Sequence, residues 1–309
     1  MFSKKIRNFS IILAVVLIAC FGLSKIILDN LFQKEAQLSK DTKWIAIGDS
    51  HITNAINPAN YPWLVNRAHS GEKLLYNFEK IKLYIDNNPQ VELVILGYWF
   101  GSLSYNMDWV LHGKDAKYRY ETYLPLMIYN NTDVNYLNVP ENKSMFLENY
   151  WGYKIGYPSP SVKLLIKNYF TFNQNLELKG GFLKARLKYN GKQLEKDEKE
   201  QKSTKMDSLS SVNLKQIVNY LKKKNVKLVL YNTPIHNDLL KKLTKAEVKK
   251  TDSIAMSFVD NKKVWYINHT KLITKNDFFN DVHHLNLDGA NYITPMLIDT
   301  ISKITKKNN

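Results

Sequence analysis

The sequence predicts an α/β protein, a three-layer α/β/α sandwich built around a parallel sheet. Three observations carry that expectation. Short runs at 44–47, 63–65, 91–98, 226–231 and 264–267 are apolar almost throughout rather than alternating, as strands buried on both faces are. Helical periodicity fills the gaps at 72–87, 208–224 and 244–260, and again at about 287–303 after the last run. Strand, helix and strand follow one another at the spacing of parallel crossover units.

The N-terminus comes first. Residues 1–28 carry Lys4, Lys5, Arg7 and Lys25 but no acid, and 11–23 is free of charge. A basic flank before an apolar run is the pattern of a signal anchor or transmembrane helix. The run is short for a full span unless 24–28 extends it, with Lys25 snorkelling to the interface. Leu17-Ile18-Ala19-Cys20 looks like a lipobox, but apolar sequence continues past Cys20, which favours an uncleaved single-pass anchor. In either mode the positive flank stays inside, so 29–309 is expected outside the cytoplasm.

Composition narrows the chemistry. Cys20 is the only cysteine among 309 residues, so the chain offers no internal disulfide, downstream Cys nucleophile or Cys-rich metal site. The net charge of +16 would favour anionic partners. Its lysines are dispersed over solvated helix faces such as Lys222-Lys223-Lys224, and no nucleic-acid module accompanies them, so no nucleic-acid partner is expected.

The first exported strand ends in Trp44-Ile45-Ala46-Ile47-Gly48-Asp49-Ser50-His51. Gly48-Asp49 breaks the strand and leaves Ser50 at its carboxyl end, where open α/β sheets place their ligand crevices. The second run is followed by Ala68-His69-Ser70-Gly71, then by a helix with Leu75, Phe78, Ile81 and Ile85 inward until Asn87-Asn88-Pro89 stops it. The third strand closes on Gly97. An insertion at about 99–206 interrupts the rhythm. It is rich in tyrosine and tryptophan up to Tyr157 and ends in a polar stretch at 191–205. Its aromatics either pack a small core of their own or offer stacking faces to sugar rings.

Before the last helix stands Asn280-Asp281-Val282-His283-His284. An Asp three residues before a His can turn back to accept the imidazole Nδ1–H, leaving Nε2 to take a proton from a serine hydroxyl. Asp281 and His284 fit this spacing, and His283 is expected on the opposite side of the loop. Two rivals remain. Asp49, His51, Asp281, His283 and His284 could converge on a divalent ion, as in a metal-dependent phosphoesterase. A decayed, non-catalytic glycan-binding or assembly protein is the other.

Taken together, Gly48-Asp49-Ser50, Ser70-Gly71 and Asp281-x-x-His284 resemble, in this order, the blocks of the SGNH, or GDSL-like, hydrolase superfamily. The resemblance spans 42–98 and 207–305 and leaves the insertion uncovered. It implies a flavodoxin-like sandwich and a serine hydrolase needing no cofactor. Ser50 would be the nucleophile, His284 the base and Asp281 its orienter, with the amides of Ser50 and Gly71 as oxyanion hole. One block departs: the family usually carries Gly-x-Asn-Asp after the third strand, and this chain has Gly97-Tyr98-Trp99-Phe100, so the Asn donor is missing unless Asn106 or another insertion side chain replaces it. The anchor and the insertion are similar to those of exported members that act as esterases or O-acyltransferases on cell-envelope polysaccharide. The partners so implied are such a glycan or a small acyl ester, the membrane, and a membrane protein donating the acyl group.

Overall fold

The computed structural model of the chain describes residues 2–103, 123, 126, 127, 129, 130, 132, 181–186, 188, 189 and 208–306. Five strands form one parallel sheet: β1 (Trp44–Ile47), β2 (Leu64–Asn66), β3 (Leu93–Gly97), β4 (Lys227–Asn232) and β5 (Val264–Asn268), in the order β2-β1-β3-β4-β5. That is the flavodoxin-like order, whose switch point lies between β1 and β3.

Among the described residues the helices are α1 (Phe2–Ala36), α2 (Ser50–Ala55), α3 (Leu74–Asn87), α4 (Ser208–Lys223), α5 (Asn237–Lys242), α6 (Lys245–Phe258) and α7 (Leu287–Lys306). Because successive strand residues point to opposite faces, each face acquires its own core. Ile45, Ile47, Val94, Leu96, Leu228 and Leu230 pack against α3, α4 and α6. Ala46, Leu93, Ile95, Val229 and Ile267 pack against α2 and α7. Three layers result, as the apolar runs predict.

Several boundaries differ from the sequence expectation for local reasons. The helix expected from Glu72 starts at Leu74, because Glu72 closes a turn through its amide to His69 O at 3.1 Å. Thr244 is not the first residue of α6 but its cap: its hydroxyl accepts the Glu247 amide while the Glu247 carboxylate accepts the Thr244 amide, a reciprocal capping box. The helix expected to end at 28 continues to Ala36, since 29–36 holds neither Gly nor Pro to stop it. Its end is built into the domain: Phe32 and Ala36 are buried, and the Asn88 side chain donates to Ala36 O and accepts the Leu38 amide. The six-residue helices α2 and α5 are too short to show a periodicity and were not expected.

Among the described residues, no helix is long and apolar enough to cross a membrane. The side chains at 17, 20–25 and 27–29 lie outside the described residues, and with them much of the expected span over 1–28. Most of the insertion at 99–206 does so too, including Asn106, the polar stretch 191–205 and the aromatics Tyr105 to Tyr120 and Tyr150 to Tyr157. Tyr98, Trp99 and Tyr123 are described, and all three are buried. Tyr98 belongs to the α3-side core and donates its hydroxyl to Thr251 O at 2.8 Å.

Candidate active site

Ser50 stands at the carboxyl end of β1, beside the switch point. Asp49 is the N-cap of α2: its Oδ1 accepts the His51 amide at 3.0 Å, which turns the chain sharply out of the strand. The turn needs close packing as well. A side chain at Gly97 would put its Cβ 2.4 Å from Ile52 Cγ1, so the glycine ending β3 lets α2 approach the sheet. Ser50 occupies the first helical position, where the backbone N–H has no intrahelical carbonyl to reach.

The partner loop arrives from the other end of the sequence. An antiparallel bridge between Phe279 and Leu285 and the Asn280 amide on His284 O at 2.9 Å close a tight turn. Inside it, Asp281 Oδ1 accepts the amides of His283 and His284, both at 2.8 Å. The same carboxylate meets His284 Nδ1 at 2.9 and 2.8 Å through its two oxygens. His284 Nε2 lies 2.7 Å from Ser50 Oγ. Three side chains separated by 234 positions thus form one continuous hydrogen-bonded chain, all partly open to solvent. Burial alone would raise the Asp281 carboxyl, but the hydrogen bond and charge of His284 and the two amides outweigh it and hold it below its ordinary value of 3.8.

The turn expected to supply a second amide is fastened to the same place. The Arg67 amide donates to Ala46 O at 2.8 Å and the His69 amide to Gly48 O at 3.0 Å. Gly71 follows with φ +73°, a left-handed conformation that favours glycine. Residues 181–186, 188 and 189 lie across these loops: the Gly181 amide reaches Ala68 O, the Leu183 amide Thr53 O and the Tyr189 amide Phe279 O, and Ala185 O accepts the Leu287 amide.

One expectation is corrected by the geometry. His283 does not turn to the far side of the loop. Its ring centroid is 5.9 Å from those of His51, Trp99 and His284 alike, because the shared Asp281 acceptor draws both consecutive amides inward. Of the five residues of the metal reading, Asp49 accepts the His51 amide on Oδ1 and the Trp99 indole on Oδ2, and no group of three or more metal-ligating side chains forms among the described residues.

Trp99 is the residue that the sequence pattern undervalued. It occupies the place of the missing Asn, and its Nε1–H donates to Asp49 Oδ2 at 2.7 Å. The donor at this position therefore braces the Gly48-Asp49-Ser50 turn. Its ring covers His51 at 4.1 Å, and His51 in turn lies 5.1 Å from His284. Burial first, then the charges of His284 and His283, push the His51 pKa well below its usual value and keep it neutral. Burial likewise raises the Asp49 carboxyl, opposed in part by the Trp99 indole and the His51 amide. The available signal was positional: a polar-tipped aromatic directly after β3, where a donor was expected.

No protein-family model matches the sequence, and no curated protein matches it. A solved structure of a candidate platelet activating factor from Streptococcus pneumonia aligns with a TM-score of 0.42 and 12% identity over 94% of this chain and 98% of that one. The functional reading therefore stands on the site's own geometry.

Proposed function

We propose that the chain is an SGNH-type serine esterase or O-acyltransferase, working through an acyl-Ser50 intermediate on O-acyl groups of an extracytoplasmic glycan. The observation that carries the reading is the 2.7 Å contact of Ser50 Oγ with His284 Nε2, continued by Asp281 on Nδ1. With Nδ1–H held by the carboxylate, the Nε2 lone pair faces the hydroxyl and accepts its proton as Oγ attacks an ester carbonyl. Asp281 stays ionised and stabilises the imidazolium that forms. The amides of Ser50 and Gly71 receive the oxyanion, and His284 returns the proton to the departing alcohol. Water or a sugar hydroxyl then resolves the acyl-enzyme by the reverse proton route.

Since Trp99 is committed to Asp49, the site has two backbone donors where the family usually adds an Asn. Loss of one such donor costs on the order of 3 kcal/mol of transition-state stabilisation, so modest turnover is expected. The compartment and the acceptor rest on sequence: the uncharged run 11–23 behind Lys4, Lys5 and Arg7 supports a single-pass anchor with the domain outside. An anchored enzyme meets surface glycan, and a membrane protein is then the natural acyl donor.

The test compares ester content of surface polysaccharide in cells carrying the wild-type chain and Ser50→Ala. A lower content in the variant supports transfer and a higher content supports hydrolysis. Equal content, with both proteins expressed and folded, removes the glycan substrate.

A further inference from the structure

The turn that presents Gly71 is closed by a buried ion pair. Lys80, on α3, donates its Nζ to the Glu72 carboxylate at 2.7 Å and also to Arg67 O, so one ammonium ties together both ends of the 67–72 loop. The side chains of Lys80 and Glu72 are 1% and 0% exposed. The carboxylate is fully engaged: Asn77 Nδ2 donates to one oxygen at 2.9 Å, and Tyr123 donates its hydroxyl to the other at 2.5 Å. Tyr123 belongs to the insertion and is held flat against Tyr76 of α3, with ring centroids 4.2 Å apart and planes at 19°. Glu72 and Asn77 line one small cavity together with Asp49 and Gly97 of the nucleophile turn.

Taking two charges out of water is costly, and a well-packed apolar pair commonly serves stability as well or better. What the ion pair adds is geometry: directional bonds that fix the ends of a loop whose middle must hold an amide in place. We propose that Glu72, Lys80 and Tyr123 are positioning residues that set the Gly71 amide for the oxyanion, which makes the insertion a working part of the site through Tyr123. This rests on the reading of Ser50 as an acylated nucleophile. Misplacing one donor forfeits at most the roughly 10²- to 10³-fold in kcat that such a donor supplies.

The experiment uses the full chain in detergent, with p-nitrophenyl acetate turnover, the rate of Ser50 labelling by a fluorophosphonate, and thermal melting. Tyr123→Phe removes one hydroxyl and keeps the stacked ring; Glu72→Leu with Lys80→Met removes the pair and keeps the volume. Both should lower kcat and the labelling rate by about 10-fold or more while KM changes less than about two-fold; Tyr123→Phe should melt near the wild type, and the double variant, which strips Asn77 Nδ2 and the Tyr123 hydroxyl of their acceptor, below it. Should that variant fail to fold, Tyr123→Phe decides. Variants that label and turn over like wild type overturn the clamp, as does a loss of rate that only tracks loss of folded protein. A wild-type chain that neither labels nor turns over overturns the parent reading, and the clamp with it.

Discussion

Replacing Asp281 by Asn isolates the tautomer on which the chemistry depends. Oδ1 of Asp281 accepts the amides of His283 and His284, and an Asn oxygen can keep both, so the turn should survive. The nearer partner of His284 Nδ1, at 2.8 Å, becomes an NH2, which donates where the carboxylate accepted, while Oδ1, at 2.9 Å, is already shared between the two amides. This favours the tautomer that offers the Nδ1 lone pair and carries its proton on Nε2, facing Ser50 Oγ across 2.7 Å with nothing to receive the hydroxyl proton. In serine enzymes this swap costs about 10⁴-fold in kcat, and a loss of about 10³- to 10⁴-fold is expected here. The assay is p-nitrophenyl acetate turnover with melting followed in parallel. A second readout follows from ionisation. The folded Asp281 carboxyl sits below its ordinary 3.8, so its contribution to stability is present above that value and lost as pH falls through the folded pKa. The melting difference between wild type and variant should therefore shrink on acidification. Turnover within about ten-fold of wild type would refute the proton route through His284.

Two further predictions concern the nucleophile turn. Asp49→Ala leaves the Trp99 indole N–H buried without its acceptor and strips the cap from α2; it should destabilise by about 2–4 kcal/mol from those two losses, whereas Asp49→Asn, which keeps an acceptor, should cost far less in denaturant melts. Gly97→Ala drives a Cβ to 2.4 Å from Ile52 Cγ1 at a fully buried position, so it should cost about 1–3 kcal/mol of stability and slow Ser50 turnover by shifting α2.

What the sequence made legible was local. Strands buried on both faces read as apolar runs, and the Asp281–His284 pairing is an i, i+3 arrangement that a single turn completes. The long-range pairs left no such trace. Asp49 and Trp99 are 50 positions apart, and Trp99 reads as one aromatic among many until β1 and β3 lie side by side. Lys80 stands eight positions after Glu72, outside the helix-neighbour spacings of three and four, and on sequence alone it passes for a solvated lysine on α3. His283 lies beside His51 and Trp99 because its amide and that of His284 share one Asp281 acceptor, which the i, i+3 spacing does not show. The extension of α1 to Ala36 is permitted by a stretch without Gly or Pro, but what holds its end is the Asn88 side chain, 52 positions away.

The proposed chemistry depends on Ser50 acting as a nucleophile activated by His284. Intact-protein mass spectrometry after incubation with a fluorophosphonate tests it most directly, using folded wild-type chain, Ser50→Ala and His284→Ala. A single covalent adduct is expected on the wild type, mapped to the peptide containing Ser50, with none on Ser50→Ala and at most slow labelling of His284→Ala. A folded wild-type chain that takes up no adduct, or one whose adduct persists in Ser50→Ala, would contradict it.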